Sequence, residues 1–250
     1  MRLKICLLVS LLFTPALAQS FQQLVPEVIS VRKHDPTAFT QGLLLSNGVF
    51  YESTGLNGQS SLRRVDPATG KVLAKVDVPE QYFAEGLALV GDRLIQLTWQ
   101  EGTAFVYDVD TLEQTSTFSY EGEGWGLCYD GSQLYMSDGS DTLFLRNPQT
   151  FELQGELLVT VGGQGVPLLN ELECVGDYIY ANVWKTDLIL KIEKATGEVE
   201  AVINAAGLLT PGEAAEADVL NGIAYDEAKD VFYITGKLWP SLFEVKFVQP

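Results

Sequence analysis

The stretch Tyr82–Gly102, YFAEGLALVGDRLIQLTWQEG, decides the fold. Apolar residues on either side of Gly91-Asp92 predict two short antiparallel strands, Gly86–Val90 and Arg93–Thr98, joined by a tight turn. A hairpin returns the chain to the rim it left. Glu85, just before the first strand, and Trp99, just after the second, therefore face the same opening.

The pattern recurs. Aligned on the pair that opens the first strand, it reads Gln41-Gly42, Glu85-Gly86, Trp125-Gly126, Asn170-Glu171 and Asn221-Gly222. From the second residue of each pair to the next, the steps are 44, 40, 45 and 51 residues. A period of this size with only strands between turns is the mark of a β-propeller. Five copies predict an all-β, five-bladed β-propeller. After each hairpin a second pair of strands follows, as in Ser61–Val65 and Val72–Val76 around Asp66-Pro67-Ala68-Thr69-Gly70. The fifth copy supplies only Leu242–Val248 and lacks an outer strand, while Leu24–Arg32 precedes the first copy as a spare. The propeller is therefore expected to be closed by an N-terminal strand, which would pair edges otherwise open to association. Two longer segments, Val161–Leu169 and Leu208–Leu220, fall on the rim of Glu85. The glycines of the first predict a loop, and the Ala- and Glu-rich second is compatible with a helical turn.

Residues 1–18, MRLKICLLVSLLFTPALA, have the basic start, short apolar run and Ala-Leu-Ala end of a secretory signal peptide. The apolar run is too short to span a bilayer. Cleavage after Ala18 would leave residues 19–250 as a single domain, exported to a periplasm or secreted, without a membrane anchor and expected to be monomeric. Losing Arg2 and Lys4 would take the formal charge from −17 to −19. That balance repels phosphate backbones, so nucleic acid is not an expected partner.

The rim gathers an unusual set of side chains. Gln41, Glu85, Trp125, Asn170 and Asn221 precede the first strands or open them, and Trp99, Trp184 and Lys237, with Trp239 close by, follow the second. Phe39 and Phe83 lie two residues ahead of Gln41 and Glu85. Amides and an acid can simply cap loop backbone, and aromatics can serve as core. Their convergence on one mouth reads better as a pocket for a small molecule or a peptide end. His34 is the single histidine, no His/Cys set has zinc spacing, and Gly122–Gly124 is too short a glycine motif to cradle phosphate. A ring of Gln, Glu and Asn oxygens keeps calcium open as a ligand. Cys128 and Cys174 lie two and three residues beyond Gly126 and Glu171, so their thiols point to opposite faces. Neighbouring blades present opposite faces to each other, which permits a bridge between blades three and four. Two buried free thiols are the alternative.

Taken together, HDPTAFTQGLL, YFAEGLALVGDRLIQLTWQEG, GEGWGLCYDG, LNELECVGDYIYANVW and LNGIAYD…FYITGKLWP resemble the plant and bacterial type of glutaminyl-peptide cyclotransferase. The resemblance runs from about Val25 to Val248. It implies a five-bladed propeller without metal or other cofactor, acting on peptides or proteins with an N-terminal glutamine and releasing ammonia as pyroglutamate forms. It places the catalytic glutamate at Glu85, with Lys237 beside it, and the substrate pocket at Phe39, Gln41, Phe83, Trp99, Trp125, Asn170 and Trp184. The reaction needs one group to move a proton between two nitrogens, the role expected of Glu85. It also needs donors for an oxyanion, expected from Lys237, Gln41 or an indole N–H. Two alternatives belong to other classes: a calcium-dependent lactonase-like hydrolase using Glu85, Gln41, Asn170 and Asn221 as ligands, and a non-catalytic ligand-binding propeller.

Overall fold

The tight turn at Gly91-Asp92 forms as expected, with Gly91 at φ 63°, a left-handed conformation that glycine adopts without steric cost. It joins Ala84–Val90 to Arg93–Thr98. Thr103–Asp108 and Gln114–Ser119 extend this hairpin into a four-stranded antiparallel sheet. Burial follows the residues. Arg93–Thr98 is almost wholly buried, whereas Gln114–Ser119, QTSTFS, is the outer strand and nearly all exposed.

This computed structural model describes residues 21–250, and the expected leader 1–18 lies outside them. Thr40–Ser46, Val49–Thr54, Ser61–Val65 and Val72–Asp77 make a second sheet of the same plan. Leu127–Tyr129, Leu134–Met136, Thr142–Arg146 and Leu153–Leu158 make a third. An eight-stranded sheet contains Leu169–Val175, Tyr178–Val183, Leu188–Glu193 and Val199–Asn204 on one side. On its other side are Leu220–Asp226, Val231–Gly236 and Ser241–Val248.

The strand Gln22–Lys33 joins these halves. Gln22–Leu24 runs parallel to Ala201–Ile203, and Val25–Lys33 pairs antiparallel with Ser241–Val248. Ser30 Oγ and Arg32 both donate to Glu244, each at 2.6 Å. The spare N-terminal strand thus occupies the place left vacant by the last repeat.

First strands of successive units touch: Thr40–Ser46 meets Ala84–Val90, which meets Leu127–Tyr129, then Leu169–Val175, then Leu220–Asp226, which returns to Thr40–Ser46. The approach is close. A Cβ on Gly86 would lie 2.6 Å from the Leu127 nitrogen, so glycine is required there. Apolar side chains fill the space between consecutive units. One cluster joins Tyr51 and Leu62 to Leu94 and Phe105, and another joins Phe50 and Val65 to Tyr233 and Leu242. Each fully buried Leu or Phe of this kind contributes about 1.5–3 kcal/mol. Cys128 and Cys174 are bridged, with Cα atoms 5.5 Å apart, inside the cluster that joins the third unit to the fourth.

The segment from Val161 departs from expectation. Thr160–Val161 and Gln164–Gly165 form a miniature hairpin. Gly162 and Gly163, at φ 58° and 79°, make its turn, so the glycines that suggested a plain loop encode a hairpin instead. The second long segment does carry a helical turn, Pro211–Ala214. Thr210 caps it in a reciprocal box with Glu213, whose carboxylate also accepts from Ser241.

Candidate active site

A bulge aims the key side chains. Pairing of the first two strands slips between Thr40 and Gly42, between Ala84 and Leu87, between Leu169 and Leu172, and between Leu220 and Ile223. Those slips fall on Gln41, Glu85, Asn170 and Asn221, residues read from sequence as lying at strand starts. An extra residue bends the strand and re-aims its side chain, a recurrent device beside active sites. In the fourth unit the companion residue is Glu171 rather than glycine. Its carboxylate crosses to accept from the Leu43 and Ile223 amides at 3.2 and 2.9 Å, tying three units together.

All nine side chains expected at the site line one cavity of about 330 Å³. Glu85 lies in it, 5% exposed, with Gln41 Nε2 donating to Oε1 at 2.9 Å. Phe39, Phe83 and Trp99 form one wall through successive edge-to-face contacts of 6.2 and 5.7 Å. Trp125 and Trp184 form the other, edge to face at 5.3 Å. The Lys237 amine lies 4.9 Å from the centre of the Phe39 ring. Asn170 is buried and its Oδ1 has no protein partner among the described residues, leaving an acceptor for a ligand.

Burial is the main influence on charge here. It pushes the Glu85 carboxyl well above its usual range; Lys237 pulls the other way, and Glu123 and Glu101 add to the rise. Burial also lowers the Lys237 amine, opposed by Glu85 and Asp218. The site therefore holds a carboxyl that retains a proton far more readily than an exposed one, facing an amine that gives one up more readily.

Several participants escaped the sequence reading. Glu123 Oε2 accepts from both Trp99 Nε1 and Trp125 Nε1, at 2.7 and 2.9 Å, and Oε1 accepts from Gln100 at 2.8 Å. It lies inside the Gly122–Gly124 motif set aside as a phosphate loop. This arrangement narrows one expectation, since the indole N–H groups of Trp99 and Trp125 are committed to Glu123, which leaves that of Trp184 among the tryptophans of the cavity. Asp218, Val219 and Lys185 also line the cavity. The first two lie on a loop flagged for its length, whereas no residue of Val161–Leu169 reaches the cavity. Trp239 is absent from the lining too. Its indole N–H donates to the Asp218 carbonyl at 2.8 Å and its ring packs on Phe243, holding the loop from beneath.

As a calcium site the set fits poorly. Gln41 presents its NH₂, not its oxygen, to Glu85, and its oxygen accepts from Asn221 at 3.2 Å. No group of three His, Cys, Asp or Glu residues suited to a metal occurs among the described residues.

Comparison with known proteins gives a consistent picture. The family model for glutamine cyclotransferase matches residues 3–247. The chain is 43% identical over 229 residues to a glutaminyl-peptide cyclotransferase of Arabidopsis thaliana, covering 89% of this chain and 71% of that one. It superposes on the crystal structure of Myxococcus xanthus glutaminyl cyclase with a TM-score of 0.82 and 41% identity, covering 91% of this chain and 98% of the other. The WD40 repeats of RRP9 match at a TM-score of 0.54 and 8% identity, covering 89% and 100%, a likeness of fold alone.

Proposed function

The chain belongs to the glutamine cyclotransferase family, and from that premise we propose how its residues carry out the reaction. The activity is that of a glutaminyl-peptide cyclotransferase: an N-terminal glutamine closes to pyroglutamate and ammonia leaves. The substrate's α-nitrogen attacks its own γ-carboxamide carbon, a C–N bond forms, and after collapse the bond to the amide nitrogen breaks. The attacking nitrogen sheds a proton and the departing nitrogen gains one, so the balance closes without any co-reactant.

The observation that carries the reading is Glu85, a buried carboxyl with a raised pKa, held by one amide inside an aromatic cavity. A free α-amine titrates near about 8. Raising the carboxyl above its ordinary range narrows the gap to that amine and so eases passage of a proton between them, as a shuttle requires. The aromatic walls hold the glutamine chain folded back on itself, and because attack is intramolecular this alone removes much of the barrier. Lys237 supplies positive charge for the developing oxyanion, and Asn170 Oδ1 accepts from the substrate's amine or amide.

We further infer a five-bladed propeller closed by Gln22–Lys33. Cyclic contact of the five first strands and apolar clusters between consecutive units support that count. The leader 1–18 supports export and a mature chain from Gln19, and the Gln41 NH₂ turned towards Glu85 supports an enzyme that works without metal. Ammonia release from a Gln-dipeptide, with and without chelator, tests the core of this. Undiminished release in chelator is expected. Loss of release on chelation, restored by calcium, would move the chain to the lactonase-like class, and no release in either condition would leave a binding propeller.

A further inference from the structure

Asn221 occupies in the fifth unit the bulge position that Glu85 occupies in the second, yet it lines no part of the cavity. It is fully buried, and its Nδ2 donates twice: to the Thr40 carbonyl at 2.9 Å and to Gln41 Oε1 at 3.2 Å. Gln41, 3% exposed, then donates from Nε2 to Glu85 Oε1. We propose that Asn221 is a positioning residue that fixes which end of the Gln41 amide meets Glu85.

The logic runs outward from a backbone group. A carbonyl oxygen only accepts, so the end of Asn221 that faces Thr40 must be its NH₂. The same NH₂ faces Gln41, which must answer with oxygen. Gln41 is left with only its NH₂ for Glu85. Reversing Asn221 would set two oxygens against each other at Thr40. Nothing in the described fold rewards the reversal, because Asn221 Oδ1 has no protein partner. Each link is buried, so solvent does not scramble the order.

The order matters for chemistry. An NH₂ facing Glu85 remains a good partner when the carboxyl is charged, whereas a carbonyl there would demand that Glu85 stay protonated. With Oε1 occupied, Oε2 is left for exchange with substrate. Asn221 thereby keeps the charged form of Glu85 within reach despite burial, alongside the other charges that act on Glu85, namely Lys237, Glu123 and Glu101. This rests on the assignment of Glu85 as the proton shuttle.

The test is a double-mutant cycle on the full chain with a Gln-dipeptide, reading kcat, KM and melting temperature across pH for N221A, Q41A, N221A/Q41A and E85Q. In N221A, kcat falls about 10-fold while KM changes less than about 3-fold, and the limb set by Glu85 moves to higher pH. In the Q41A background the same change adds less than about 2-fold, because Asn221 acts through Gln41. Multiplying effects, or a lowered melting temperature with unaltered kcat and pH profile, would overturn the proposal. If N221A does not fold, N221S enters the same cycle, keeping a short donor near Thr40 but losing the reach to Gln41. Near-normal turnover in E85Q would remove the shuttle and this proposal together, whereas an inactive E85Q with multiplying N221 and Q41 effects would sink the proposal alone.

Discussion

Two carboxylates in this molecule are buried almost equally and behave in opposite ways. Glu52 is 2% exposed and Glu85 5%. Glu52 Oε1 receives both His34 Nε2 at 2.9 Å and the Thr40 hydroxyl at 2.7 Å. His34 Nδ1 meets the Trp239 carbonyl at 2.6 Å and, since that oxygen only accepts, carries hydrogen; with Glu52 held ionised by its downward shift, Nε2 carries hydrogen too and the ring is an imidazolium. Burial raises the Glu52 carboxyl, but His34, Arg63 and Thr40 outweigh it and the net shift is downward. Glu85 has one amide and a distant ammonium, and burial wins. Adjacent residues serve the two sites, Thr40 one and Gln41 the other. Burial therefore does not decide whether a carboxyl is structural or reactive; the opposite charges and donors that the fold brings against it do, with the His34 charge foremost at Glu52. A saturated carboxylate holds chain segments together, and an undersupplied one facing a cavity is free to trade a proton.

The comparison breaks first at Glu85. Glu85→Gln keeps shape and hydrogen bonding but moves no proton, so turnover falls about 10²–10⁴-fold while Gln-peptide affinity changes little. Steady-state kinetics beside a binding isotherm check this, and near-normal turnover would strip Glu85 of its role. The matching change on the other side, Glu52→Ala, leaves a buried imidazolium unpaired and costs about 3–5 kcal/mol of folding stability. Chemical denaturation measures it.

The pair also sets a pH window. His34 is raised, since Glu52 and the Trp239 carbonyl together overcome the opposing effect of burial. Its contribution is complete below the unfolded value of about 6.5 and fades as pH climbs through the folded one. Glu52 is lowered, so its contribution is complete above about 4.5 and fades as pH drops through its folded value. A denaturation series against pH should lose its alkaline slope in H34Q, and an unchanged slope would mean that the imidazole is neutral in the fold.

Replacing Cys128 and Cys174 with serine sharpens the contrast from a third position. The bridge closes a loop of 46 residues, so its loss costs about 2–4 kcal/mol in stability. Turnover at temperatures where the protein stays folded should be unaffected, because the bridge lies in the core between units and not at the cavity. A parallel fall in kcat would show that the two regions are not separable. The smallest expected effect is at Glu123. Glu123→Ala frees the indoles of Trp99 and Trp125, raising KM about 3–10-fold with a smaller change in kcat, because hydrogen bonds to a partly exposed carboxylate are modest. Tryptophan emission should shift in step, and an unshifted spectrum would deny it a hold on those rings.

Sequence alone determined what depends on neighbours along the chain. Alternation and turn residues placed Arg93–Thr98 and Ser61–Val65 with both ends correct. The period of the repeat brought Glu85, the phenylalanines and three tryptophans to one rim. Three of the four bulges were within reach as well, because a glycine one residue into a strand is their usual sign; the fourth, with Glu171 in that place, was not. Tertiary structure decided the rest. His34 bonds to a carbonyl 205 residues away, and Asn221 to an amide 180 residues away. Whether such groups meet depends on how the repeats close on one another, which no local pattern records. The protonation of Glu52 and Glu85 follows from those meetings, since two acids of the same kind, buried alike, differ in the charges and donors the fold brings to them.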